Sequence, residues 1–181
     1  SPMWGDILIQ MSGGDEDTSQ LLEGLTLAVE LEKVWLDTEI SLNKVSGTFA
    51  RRQETWKEVR LKGQVSKDAE LNLIIREDTN GSRHLDMKSK NAGRVLKFLD
   101  LYENMLGGDL AVSGVFDDSI PTQPLLGQVS IRNYRVVNAP VLARLLSVMA
   151  LTGILEALEG DGLAFTDLTA PFELTQGTLE I

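Results

Sequence analysis

The chain has 181 residues, 43% of them apolar and 24% charged, enough for one domain with a sizeable core. Its formal net charge of −10 disfavours nucleic acid and adhesion to an anionic lipid surface, since both need clustered Lys and Arg. It contains no cysteine, so thiol nucleophiles, disulfides and thiolate metal sites are excluded.

The opening "SPM" resembles a vector remnant, and the chain stops at "GTLEI", inside a strand-like pattern. The expectation is one domain over residues 1–181, excised from a longer protein, with residues 1–3 a tag remnant. "GGDEDTSQ" (13–20) reads as a loop. Its "DED" does not make a calcium loop. An EF-hand needs Gly at its sixth position and Glu at its twelfth, and counting from Asp15 these are Gln20 and Thr26.

Strict alternation follows. Leu25, Leu27, Val29 and Leu31 alternate with Thr26, Ala28, Glu30 and Glu32, and Val59, Leu61 and Val65 alternate with Arg60, Lys62, Gln64 and Ser66. Leu71, Leu73 and Ile75 continue the habit. Period two sends successive side chains to opposite faces, so these are antiparallel strands with one apolar and one wet face.

"REDTNGSRHLDMK" predicts a hairpin. A two-residue Asn80-Gly81 turn would set Ile75 opposite Asp86, mixing apolar and acidic residues on one face. A three-residue loop, Thr79-Asn80-Gly81, sets Ile75 opposite Leu85, Leu73 opposite Met87 and Glu77 opposite Arg83. The three-residue loop keeps the apolar face continuous and requires Gly81 to be left-handed. His84, the only histidine, then shares the wet face with Asp86 and Lys88. It reads as a solvent-facing strand residue rather than a base or metal ligand, which need partners in set geometry.

A first helix is expected over 92–106. Asn91 can cap it, Gly107 can end it, and Ala92, Val95, Leu96, Leu99, Tyr102 and Leu106 share a face. Gly107-Gly108 reads as a helix stop and strand start, since a phosphate cradle would need a helix to follow. "GDLAV" (108–112), "GQVSI" (127–131) and "GTLEI" (177–181) form a weak Gly-x-apolar-x-apolar repeat. It suggests strands that each begin at a glycine after a turn. Asp117-Asp118 reads as a turn.

A second helix is expected over 140–158. Pro140 suits its first turn, Gly160 follows its end, and its surface is apolar almost all round. Membrane spans need about 20 apolar residues, and Arg144 and Gly153 interrupt this one. It is read either as a core helix on the apolar sheet face or as a helix plugging or lining an apolar groove.

The order of these elements carries a resemblance. "NAGRVLKFLDLY" is followed by "GGDLAVSG", "GQVSI", "NAPVLARLLS", a "TG" and "GDGLAF" before the closing strands. This order resembles the C-terminal region of the AsmA-like family, closest to its YhdP type, over about residues 59–181. The resemblance implies a bridge-like lipid-transport protein of the Gram-negative envelope. Such a protein is anchored in the inner membrane and extends through the periplasm, and the concave face of its curled β-sheet is an apolar groove. It is implicated in moving phospholipids between the inner and outer membranes and in outer-membrane biogenesis.

Together these readings predict an α+β, mainly β fold: a curled antiparallel sheet with two helices on its concave face or end. Val112, Val129, Ile131, Phe165, Phe172 and Leu174 are the candidate lipid-binding lining. Leu145, Leu146 and Met149 are the candidates on the plugging helix. No catalytic grouping, metal site or cofactor is expected, because the residues of an active site stand in no recognisable arrangement. The expected ligands are phospholipid acyl chains. The alternative is a non-catalytic scaffold or docking module that binds an envelope protein through its edge strands.

Overall fold

A computed structural model describes residues 8–10, 24–35, 41–52, 55–67, 69–139, 144 and 161–181. Ten strands form one sheet: β1 (Leu8–Gln10), β2 (Leu25–Trp35), β3 (Ser41–Arg52), β4 (Thr55–Ser66), β5 (Ala69–Glu77), β6 (Arg83–Ser89), β7 (Met105–Phe116), β8 (Leu125–Val136), β9 (Leu163–Thr175) and β10 (Thr178–Glu180). Every strand pairs antiparallel with the next in sequence, from β1 at one edge to β10 at the other. The result is an open, curled meander. Among the described residues there is one α-helix, α1 (Ala92–Phe98). The mainly β class and the curled sheet therefore hold. The second helix expected over 140–158 lies outside the described residues except for Arg144, which is helical and exposed. The loop at 13–20 also lies outside them.

Turn chemistry fixes the register. In the β5–β6 hairpin Ile75 faces Leu85, Leu73 faces Met87 and Glu77 faces Arg83, with Gly81 at φ 85°. The Asp78 carboxylate accepts the backbone N–H groups of Asn80 (2.8 Å) and Ser82 (3.0 Å), closing the three-residue loop. The β9–β10 turn places Gln176 (φ 50°) and Gly177 (φ 84°) in the left-handed region, as a tight two-residue hairpin turn requires.

The helix starts as expected and ends early. The Asn91 side chain accepts the Arg94 N–H at 3.1 Å. At the other end Asp100 takes φ 55°. Its N–H reaches Lys97 O at 3.1 Å, and the Leu101 N–H reaches Leu96 O at 2.9 Å. This pair of bonds is a Schellman stop, with Asp where Gly is usual. Gly107 is thus not the terminator: it and Gly108 lie inside β7 at φ 67° and 90°. Leu106 leaves the helical face and is 52% exposed in the strand. Of the repeated glycines only Gly177 directly precedes its strand, because β7 and β8 begin at Met105 and Leu125.

Strand alternation breaks at matched places. Leu42 and Val45 are both buried although three apart, with Lys44 at φ 48° between them. Ile131 and Tyr134 repeat the pattern around Asn133 at φ 55°. These irregularities let both members of each pair face inward. They build a core at one end of the sheet from Leu42, Val45, Leu71, Leu110, Tyr134 and Val136, with Ala92 and Val95 of α1 seated on it. The helix packs on β7 and also touches β4 and β8, as a sheet curled about it permits.

Candidate functional site

The register extends the apolar face without a gap. One row runs Leu27, Phe49, Val59, Ile75, Leu85, Gly114, Gly127 and Phe172 across β2 to β9. The next runs Val29, Gly47, Leu61, Leu73, Met87, Val112, Val129 and Ala170. Apart from Val59, which is buried, the large side chains of these two rows are half-buried. α1 sits over the core end, against which Leu61, Met87, Val112 and Val129 of the second row also pack.

The predicted lining residues fall on this face at different depths. Val112 and Val129 are register partners, both half-buried. Phe172 lies over Gly127, where an added Cβ would come within 2.7 Å of the ring, so only glycine lets that ring lie flat on the sheet. Leu174, partnered with Leu125, is 37% exposed. Phe165 stacks on Tyr134 at 5.3 Å between ring centroids and is 37% exposed. Ile131 differs: at 3% exposure it belongs to the closed core beside Gly108 and Tyr134 and offers no open surface. Ordinary alternation from Val129 turns it inward, and the break at Asn133 brings Tyr134 to the same side. Leu145, Leu146 and Met149 lie outside the described residues.

The end of the face remote from α1 is polar. Arg83, 5% exposed, is in phase with Leu85 and Met87 and so points inward. Its Nε donates to Asp118 Oδ2 at 2.9 Å, its Nη2 to Gln123 Oε1 at 3.0 Å and its Nη1 to Trp56 O at 3.3 Å. The guanidinium lies 4.3 Å from the Phe116 ring centroid. A buried arginine needs such a full set of partners. In return its hydrogen bonds hold the Asp118 carboxyl below the usual carboxylate range. Lys57 Nζ pairs with Glu77 Oε1 at 2.8 Å. Asp118 is therefore more than a turn residue, which the sequence reading missed. The available signal was the predicted register itself, which puts an arginine among leucine and methionine and so demands a counter-ion.

The opposite face is wet. His84 Nε2 lies 3.1 Å from Asp78 Oδ2. That hydrogen bond, ahead of those from Ser82 and Asn80, lowers the Asp78 carboxyl, so the pair pins the hairpin turn. A solvent-open cavity of about 660 Å³ on this face is bordered by Gln64, Lys67, Glu70, Asn72, Lys88 and Arg132. It lies on the face opposite the apolar rows. Among the described residues no group of His, Asp or Glu converges as a metal site would, and no helix is long and apolar enough to cross a membrane.

Comparison of the chain with family models, curated proteins and solved structures finds no match.

Proposed function

We propose that this chain is a segment of a lipid-carrying protein of the Gram-negative envelope, and that its apolar face shelters phospholipid acyl chains in transit between the inner and outer membranes. The observation that carries this reading is the pair of apolar rows crossing eight strands with no covering layer along their middle among the described residues. Burying apolar surface gains about 25 cal/mol per Å², so such a face can hold acyl chains with no catalytic group. The order of motifs that resembles the AsmA-like family supports the periplasmic setting and the inner-membrane anchor in the full-length protein.

The test is site-specific photo-crosslinking in the full-length protein in cells. Val129 lies on the apolar face and Ser130 on the other. Lipid adducts at Val129 and none at Ser130 are expected. Absence of lipid at both positions overturns the reading.

One observation favours a second reading. β10 pairs only with Glu173–Thr175 of β9, leaving the rest of that edge, 163–172, without a strand partner among the described residues. Open edges accept an added strand, so docking of an envelope protein there is the alternative. It predicts protein adducts from a crosslinker at Thr169 and no lipid at Val129.

A further inference from the structure

The two ends of the trough are chemically unlike. At one end α1 closes it with aliphatic side chains and Tyr134. At the other, five charged groups stand together: Arg51, Lys57 and Arg83 against Glu77 and Asp118. Lys57 is matched by Glu77 and Arg83 by Asp118. Among the described residues Arg51 has no ion-pair partner.

Arg51 is placed there by a sheet irregularity. The register shifts between Ala50 and Arg51, so that Arg51 faces Trp56. Phe49 is inward-facing and meets the Trp56 ring edge-on at 6.0 Å, which brings Trp56 to the same side. The Arg51 guanidinium stands 6.0 Å from the Trp56 ring centroid. Its Nε is buried and has no hydrogen-bond partner among the described residues. Buried donors are almost always satisfied, and an ionised one is the most costly to leave bare. A cation with no partner among the described residues, at the polar end of an apolar trough, fits the anionic head of an amphiphile whose tail crosses the apolar rows.

We propose that Arg51 receives the anionic head group of an acyl lipid, with the tail directed along the strands, across the two rows, toward α1. This assignment rests on the reading of the apolar face as a lipid groove and adds the direction in which the lipid lies.

Trp56 makes the direction measurable. In a chain with Trp4→Phe and Trp35→Phe, Trp56 is the sole tryptophan. Stearate labelled with a nitroxide near its carboxylate should quench Trp56 more strongly than stearate labelled near its methyl end. Arg51→Gln should weaken binding of the carboxylate-end-labelled stearate by roughly tenfold, the loss of one charge-assisted hydrogen bond. The neutral methyl ester of the same probe should bind both forms equally. Stronger quenching by the methyl-end label reverses the lipid and overturns the assignment while leaving the groove intact. Equal loss of acid and ester in Arg51→Gln, or loss of neither, also overturns it. Absence of quenching by every probe refutes the groove itself, and the proposal with it.

Discussion

Gly93→Ala tests whether α1 is seated where the core requires it. Gly93 lies in the first turn of α1, and a Cβ built on it overlaps the Met105 carbonyl oxygen, standing 2.8 Å from that carbonyl carbon and 3.3 Å from the Leu106 nitrogen. Non-bonded carbons rest about 3.5–4.0 Å apart, so the helix must withdraw by roughly 1 Å. The obstruction is backbone on both sides, and no side chain can rotate away to relieve it. Ala92 and Val95, both 0% exposed, would lose their close packing on the core. Overpacking of this kind costs about 1–3 kcal/mol, whereas the higher helix propensity of alanine returns at most about 1 kcal/mol. The net expectation is a loss of about 1–2 kcal/mol. In a domain of this size each kcal/mol lowers Tm by about 2–4 °C. Urea and thermal unfolding followed by circular dichroism would read it, with Arg94→Ala on the exposed face of the same helix as the control. A Gly93→Ala protein as stable as the native chain would show that α1 does not rest on the Met105 backbone, and the closed end of the trough would have to be redrawn.

Two further outcomes follow from charge and backbone. Asp118→Asn leaves Arg83 buried with only Gln123 and the Trp56 carbonyl, and should cost about 2 kcal/mol, the worth of hydrogen bonds to a charged group. Because the Asp118 carboxyl is lowered in the folded chain, its contribution is complete above the unfolded value of about 3.9 and is lost as pH falls through the still lower folded value. Unfolding curves of native and Asp118→Asn proteins should therefore be offset at neutral pH and converge in acid; an offset unchanged in acid would dissociate it from this carboxylate. Asp100→Gly should stabilise by about 1 kcal/mol, because it relieves a left-handed non-glycine residue at the helix stop. A lower Tm in that variant would mean that the Asp100 carboxylate makes a contact worth more than the strain.

What the sequence could reveal depended on how local the cause was. The 75–85 hairpin register was legible because one choice of loop kept Ile75, Leu85, Leu73 and Met87 on one face and the other did not, and the pairing found is that one. The Asn91 cap was legible for a similar reason: the acceptor and the N–H it serves are three residues apart. The end of α1 was not. Asp100 adopts a conformation that glycine takes more readily, so the visible Gly107 drew the boundary eight residues beyond Leu99, the C-cap. The matched breaks at Lys44 and Asn133 were equally silent. They are enforced by the core that Leu42, Val45, Ile131 and Tyr134 share, and no local pattern announces them. Arg83 and Asp118 stand 35 apart in the chain, and only the folded sheet brings the β7–β8 connection over β6.

The proportions of the molecule bear most directly on its use. Eight strands at about 4.8 Å spacing, several of them 12 residues long, present a face of roughly 33 by 40 Å. α1 has seven residues, about 10 Å of helix some 10 Å wide. It can cover about a tenth of that area. Strands that alternate as regularly as β2, β4 and β5 have an apolar side that needs a partner, and among the described residues the helix meets that need only at the core end. The half-buried middle rows, with Gly47, Gly114 and Gly127 keeping them shallow, are broad enough for flexible hydrocarbon. On the proposed lipid reading, the charged groups gathered at the far end would supply what a bare hydrocarbon slot lacks, a place for a polar head. Measuring where along the trough a labelled tail lies therefore tests the groove and its polarity together.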